Sequence, residues 1–114
     1  MEDPIMSEII IVKENAGKTF KAIQGNSILI RLDENRSTGY QWEIDLSDDQ
    51  VISLEKTDYT PGAKKKIGSG GARTFNLKAE SSGSVKILLR LKNEWKPDDS
   101  AIDKFEVTIK VEAE

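Results

Sequence analysis

The chain has 114 residues, enough for one ordinary domain, and contains neither cysteine nor histidine. Those absences exclude a disulfide framework, a thiolate nucleophile, a Cys/His zinc site and any catalytic triad that needs imidazole. Seventeen Lys and Arg against twenty Asp and Glu leave a net charge of −3, the wrong sign for a nucleic-acid-binding polycation. The longest apolar run, Ile9 to Val12, is far too short for a membrane-spanning helix.

Met1 to Met6 is polar and acidic, with no apolar core of a signal peptide behind it. The expected arrangement is a flexible segment over 1–7 and a single domain over 8–114. The expected location is cytoplasmic as numbered, or exported if a leader has been removed. Residues 8–13 and 18–22 read as short strands around the turn signal Asn15-Ala16-Gly17. Beyond Gln24-Gly25-Asn26, residues 27–32 place Ile28, Ile30 and Leu32 on one face. Residues 40–46 alternate in the same way, with Tyr40, Trp42, Ile44 and Leu46 on the apolar side. A weaker strand at 51–59 is followed by 73–79, where Phe75, Leu77 and Ala79 alternate with Asn76 and Lys78. Residues 85–91 carry Val85, Ile87, Leu89 and Leu91, and 104–112 carry Phe105, Val107, Ile109 and Val111.

No segment keeps a helical apolar stripe. Seven or eight strands, each with one apolar face, must cover that face with another sheet. The length, the strand count and an inward Trp42 indicate an all-β, immunoglobulin-like sandwich of two antiparallel sheets. If consecutive strands run antiparallel, the connections 33–39, 60–72 and 92–103 emerge at one end. These are the long ones, and long loops on a rigid scaffold are where binding usually resides.

The first of these connections reads Asn35-Arg36-Ser37-Thr38-Gly39, leading into Tyr40. The second contains Gly68-Ser69-Gly70-Gly71, and the third carries Trp95 outside any strand alternation. In this order and spacing, the segments resemble the chagasin-type inhibitors of cysteine peptidases, whose loops carry NPTTGY, GxGG and RPW. The likeness runs from Glu8 to Glu112. Arg36 stands where that family has proline, Ser37 where it has threonine, and Asn93 and Glu94 where arginine and proline precede the tryptophan.

The resemblance implies reversible, tight inhibition of papain-like cysteine peptidases by a monomer that is not an enzyme. It needs no cofactor or metal, and involves neither nucleic acid nor membrane. The residues it assigns to peptidase binding are Asn35, Arg36, Ser37, Thr38, Gly39, Gly68, Ser69, Gly70, Gly71 and Trp95. Thr38 is expected over the enzyme's reactive cysteine, the glycines along the cleft wall and Trp95 on the opposite rim.

Each motif also has a plain structural role. Gly39 can supply a positive φ for the turn into Tyr40, and Lys64-Lys65-Lys66 can be a solvated charge run. Asn35-Arg36-Ser37 matches a glycosylation acceptor by chance, and Asp48-Asp49 and Asp98-Asp99 read as solvated turn acids. The three connecting segments with their flanks carry a net charge of +3, with Arg73 counted among their cations. The competing reading is an immunoglobulin-like adhesion or carbohydrate-binding module that uses Trp95 and Tyr59 as stacking surfaces.

Overall fold

The computed structural model describes residues 8–35, 39–61, 71–93 and 101–113. Period-two alternation leads to strands wherever it was read: β1 (Glu8–Ile11), β2 (Thr19–Ile23), β3 (Ser27–Glu34), β4 (Tyr40–Leu46), β5 (Ile52–Thr60), β6 (Gly71–Ala79), β7 (Gly83–Asn93) and β8 (Asp103–Glu112). They form two four-stranded sheets, β1-β3-β6-β5 and β2-β8-β7-β4.

The apolar positions face one another across the gap. Ile28, Ile30 and Leu32 of β3 and Phe75, Leu77 and Ala79 of β6 are buried from one sheet. Val85, Ile87 and Leu89 of β7 and Phe105, Val107, Ile109 and Val111 of β8 are buried from the other. Trp42 of β4 joins them, while Tyr40, Ile44 and Leu46 on the same strand are only half-buried because β4 is a sheet edge. This is the immunoglobulin-like sandwich that the pattern required.

Two pairings depart from the antiparallel expectation. β1 runs parallel to β3, and β2 runs parallel to β8. The chain climbs along one sheet in β1, reverses through a short 3-10 turn at Lys13–Asn15, and descends along the other in β2. One N-terminal segment therefore covers an edge of each sheet. The turn is closed by local bonds: the Val12 amide donates to Asn15 Oδ1 at 2.8 Å, and the Asn15 amide to the Val12 carbonyl at 2.9 Å.

Several strands run beyond their apolar alternation at one shared end. β3 continues to Glu34, β6 starts at Gly71 and β7 reaches Asn93. Glu34 pairs with Gly71, and Thr60 with Ala72, in one sheet. Tyr40 pairs with Asn93, and Leu91 with Asp103, in the other. The ends of β3, β5 and β7 and the starts of β4, β6 and β8 thus share one end of the sandwich. The opposite end has short connections, such as the turn at Gln24–Asn26, where the Gly25 amide bonds the Ala79 carbonyl at 2.9 Å.

Trp42 contributes both area and a bond, since its indole Nε1–H donates to the Asp33 carbonyl at 2.9 Å. Trp42→Ala should lower stability by about 3–5 kcal/mol through lost burial and an unfilled cavity. Urea midpoints of parent and variant are the measurement, and a change below about 1 kcal/mol would remove Trp42 from the core.

Candidate functional site

The end where the three stems meet is organised by an acid inside the protein. Period-two alternation from Ile28, Ile30 and Leu32 brings the next inward position to Glu34, whose side chain is 0% exposed. A carboxylate cannot remain charged there without partners. It has them in every direction. Arg73 Nη2 donates to Oε2 at 2.8 Å, and Arg73 Nε lies 3.2 and 3.3 Å from the two oxygens. The Trp42 backbone amide, from the opposite sheet, donates to Oε1 at 2.8 Å.

The same point also holds β5. Tyr59 Oη donates to the Glu34 carbonyl at 3.2 Å, and the Arg73 guanidinium lies 5.6 Å from the Tyr59 ring centroid. Arg73 stands across from Leu32 on one side and Tyr59 on the other, so the three share one face of the sheet. Four strands therefore meet at one residue: β3 bears Glu34, β4 and β6 bond its carboxylate, and β5 bonds its backbone carbonyl. Breaking such a buried pair from one side costs about 3–5 kcal/mol, because it strands a charge.

Two glycines shape the stems. Gly39 has φ +81°, the left-handed region that side chains disfavour, and it delivers the chain into Tyr40. Gly71 is needed for space. A Cβ there would run into the Thr60 carbonyl oxygen and lie 2.7 Å from Tyr59 Oη. The close approach of β5 and β6 at this stem thus excludes any side chain.

A second tie lies on the flank. Lys13 Nζ, on the turn between β1 and β2, pairs with Asp103 Oδ2 at 2.7 Å at the first residue of β8. It also lies 6.0 Å from the Trp42 ring centroid. The pair spans a cleft of 430 Å³ whose lining includes Trp42, Leu91, Arg31 and Asp33. The hydrogen bond from Lys13 lowers the Asp103 pKa below the usual aspartate range, against the opposing effect of burial.

Of the residues assigned to binding from the sequence, Asn35, Gly39 and Gly71 lie at these stems. Arg36, Ser37, Thr38, Gly68, Ser69, Gly70 and Trp95 fall outside the described residues. Arg73 and Glu34 are both counted in the +3 of the three segments, so their pairing inside the sandwich leaves that sum unchanged. One expectation needs correction: Tyr59 is not a free stacking platform, since the Arg73 guanidinium lies by its ring and its hydroxyl donates to the Glu34 carbonyl. Sequence reasoning missed the Glu34–Arg73 pair, although extending the alternation by one step on each strand points to both. Asn93, where the family motif has arginine, is buried at the end of β7. Among the described residues, no group of three or more acids is placed to hold a metal ion.

The fold and its shared loop end define an immunoglobulin-like domain that presents three connections together. A model described as the chagasin family peptidase inhibitor I42 matches residues 21–109. The chain belongs to this family, which is one of inhibitors and not of enzymes. It is similar to chagasin of Trypanosoma cruzi, with 23% identity over 104 residues, covering 88% of this chain and 94% of that protein. Among solved structures it resembles the cysteine protease inhibitor EhICP2 of Entamoeba histolytica, with TM-score 0.84 and 22% identity over 96% of this chain and 100% of that one. PbICP-C, solved in complex with falcipain-2, shares the fold at TM-score 0.62 and 15% identity, covering 94% of this chain and 91% of that one.

Gly71→Ala should destabilise the domain by about 1–3 kcal/mol, the scale of overpacking, with β5 and β6 forced apart at the stem. A urea midpoint equal to that of the parent would show that the stem yields freely.

The Asp103–Lys13 pair yields a pH prediction. A carboxylate whose pKa is lowered on folding stabilises the fold above its unfolded pKa, and that contribution is lost as pH falls through the folded value. Both side chains are about half exposed, so the effect should stay below about 1 kcal/mol. Lys13→Met should therefore be slightly less stable than the parent at pH 7, with the difference vanishing at strongly acidic pH. Urea titrations at several pH values would measure it, and a gap that does not shrink as the pH is lowered would exclude this origin.

Proposed function

We propose that this chain is a reversible, tight-binding inhibitor of papain-like cysteine peptidases, and that three connections act together as a wedge in the enzyme's cleft. The observation that carries the reading is the convergence of the three motif-bearing stems on one end of the sandwich. Family membership and the pairing of PbICP-C with falcipain-2 support the choice of partner.

In this reading Thr38 lies against the catalytic cysteine and its histidine, where its hydroxyl can exchange hydrogen bonds. Gly68, Gly70 and Gly71 let backbone approach the cleft wall, and Asn35, Arg36, Ser37, Gly39 and Ser69 complete the two loop surfaces. Trp95 packs on the far rim. No covalent step is asked of the inhibitor, in keeping with a chain that lacks cysteine and histidine. Stems held by Gly39, Gly71 and the Glu34 carboxylate reduce the ordering cost of association. The carbohydrate-module alternative loses one of its two stacking residues with Tyr59.

Inhibition constants against papain and cathepsin L test the proposal. The parent should inhibit at least one of them. Trp95→Ala should lose about 2 kcal/mol of binding with little change in stability, as a hot-spot aromatic does. Thr38→Tyr should weaken inhibition far more than folding, by steric exclusion from the cleft. A parent that inhibits neither enzyme, or a Thr38→Tyr variant that inhibits as well as the parent, would overturn the wedge.

A further inference from the structure

The Glu34 cluster joins the stems of two separate connections. Glu34 precedes the 35–39 connection, and Trp42 lies just after it. Tyr59 precedes the 61–70 connection, and Arg73 lies just after it. Glu34 accepts from Trp42, Arg73 and Tyr59, so both sides of both stems touch one residue. Other ion pairs among the described residues are more exposed: Lys56–Asp58, Lys86–Glu106 and Arg90–Asp45 each have at least one side chain near half exposed or more. Among the ion pairs of the described residues, only Glu34 and Arg73 are both withdrawn from water, at 0% and 12% side-chain exposure. Stability of the sandwich does not call for them, since buried pairs are seldom more stabilising than apolar residues of equal size. What such a pair does supply is direction, because the planar guanidinium fork fits a carboxylate in one orientation.

We propose that Glu34 and Arg73 are positioning residues that couple the first and second binding connections, so that both stems are set in one relative geometry before a peptidase is met. The proposal rests on the inhibitory reading above. Neither side chain needs to touch the enzyme. Their effect passes through Trp42, which carries the first stem on the opposite sheet, and through Tyr59 and Gly71, which flank the second. Loosening the cluster lowers the fraction of molecules with both stems in place, and apparent affinity falls by that fraction.

Arg73→Lys keeps the charge and loses the fork. Amide hydrogen exchange should then rise together at Gly39 and Trp42 on one side and at Ala72 on the other, with Val107 and Ile109 protected as in the parent. The inhibition constant for whichever of papain and cathepsin L the parent inhibits should rise about tenfold at a temperature where the variant is fully folded. Tyr59→Phe, which removes the bond to the Glu34 carbonyl and keeps the ring, should show the same pattern more weakly. If Arg73→Lys does not fold, Glu34→Gln takes its place in both measurements, since it keeps the shape and an acceptor for Trp42. Faster exchange confined to Ala72, or unchanged inhibition by a folded variant, would overturn the coupling. Should the parent fail to inhibit papain and cathepsin L, the inhibitory reading falls and the exchange pattern alone decides whether the stems are coupled.

Discussion

A carboxylate that cannot reach water sets the terms for the loop-bearing end of this protein. Glu34 lies where the next apolar residue of β3 would be, and burial of its charge is tolerable only with donors on several sides. Those donors come from both sheets. The Trp42 amide belongs to one and the Arg73 guanidinium to the other, so satisfying the carboxylate fixes how the two sheets meet at their upper edge. The hydrogen bonds around Glu34 tie the two sheets together where the first two stems leave the sandwich.

The distribution of charge elsewhere is of a different kind. On the outer face of the second sheet, Asp45 and Arg90 approach at 3.5 Å, Glu43 and Lys92 at 3.7 Å, and Lys86 and Glu106 at 3.5 Å. Apart from Lys92, these side chains are substantially hydrated, and such cross-strand pairs contribute little to stability. They keep the sheet soluble and fix its register weakly. The interior pair differs because water cannot substitute for a lost partner. Lys13 and Asp103 stand between the two cases: exposed, yet joining the N-terminal turn to the start of β8 beside Trp42.

For a peptidase inhibitor, this division of labour is physically sensible. Affinity must come from complementary surface, and each loop that has to be ordered on binding subtracts from it. The broad apolar core, with residues from both sheets at or near complete burial, supplies a rigid base. Gly39 and Gly71 allow backbone shapes and approaches that other residues would forbid, and the buried ion pair orients the stems they belong to.

Much of this was written in the sequence. Period-two alternation determined β3, β4, β6, β7 and β8 and the side of each that is buried, because the pleat of a strand admits no other periodicity. The short apolar run of β1 and the irregular β5, with its register shift between Leu54 and Lys56, carry no such alternation. The three spaced motifs determined the family. Alternation could not set where strands end, since it reads apolar residues, and at the loop end the inward positions pass to Glu34 and Arg73. Nor could it reveal that these two share one carboxylate's worth of space with Trp42 and Tyr59. That meeting depends on the register between β3, β5 and β6 and on the approach of β4 from the other sheet, contacts between residues far apart in the chain. The parallel placement of β1 and β2 was likewise decided only by which free sheet edges the folded chain leaves to be covered.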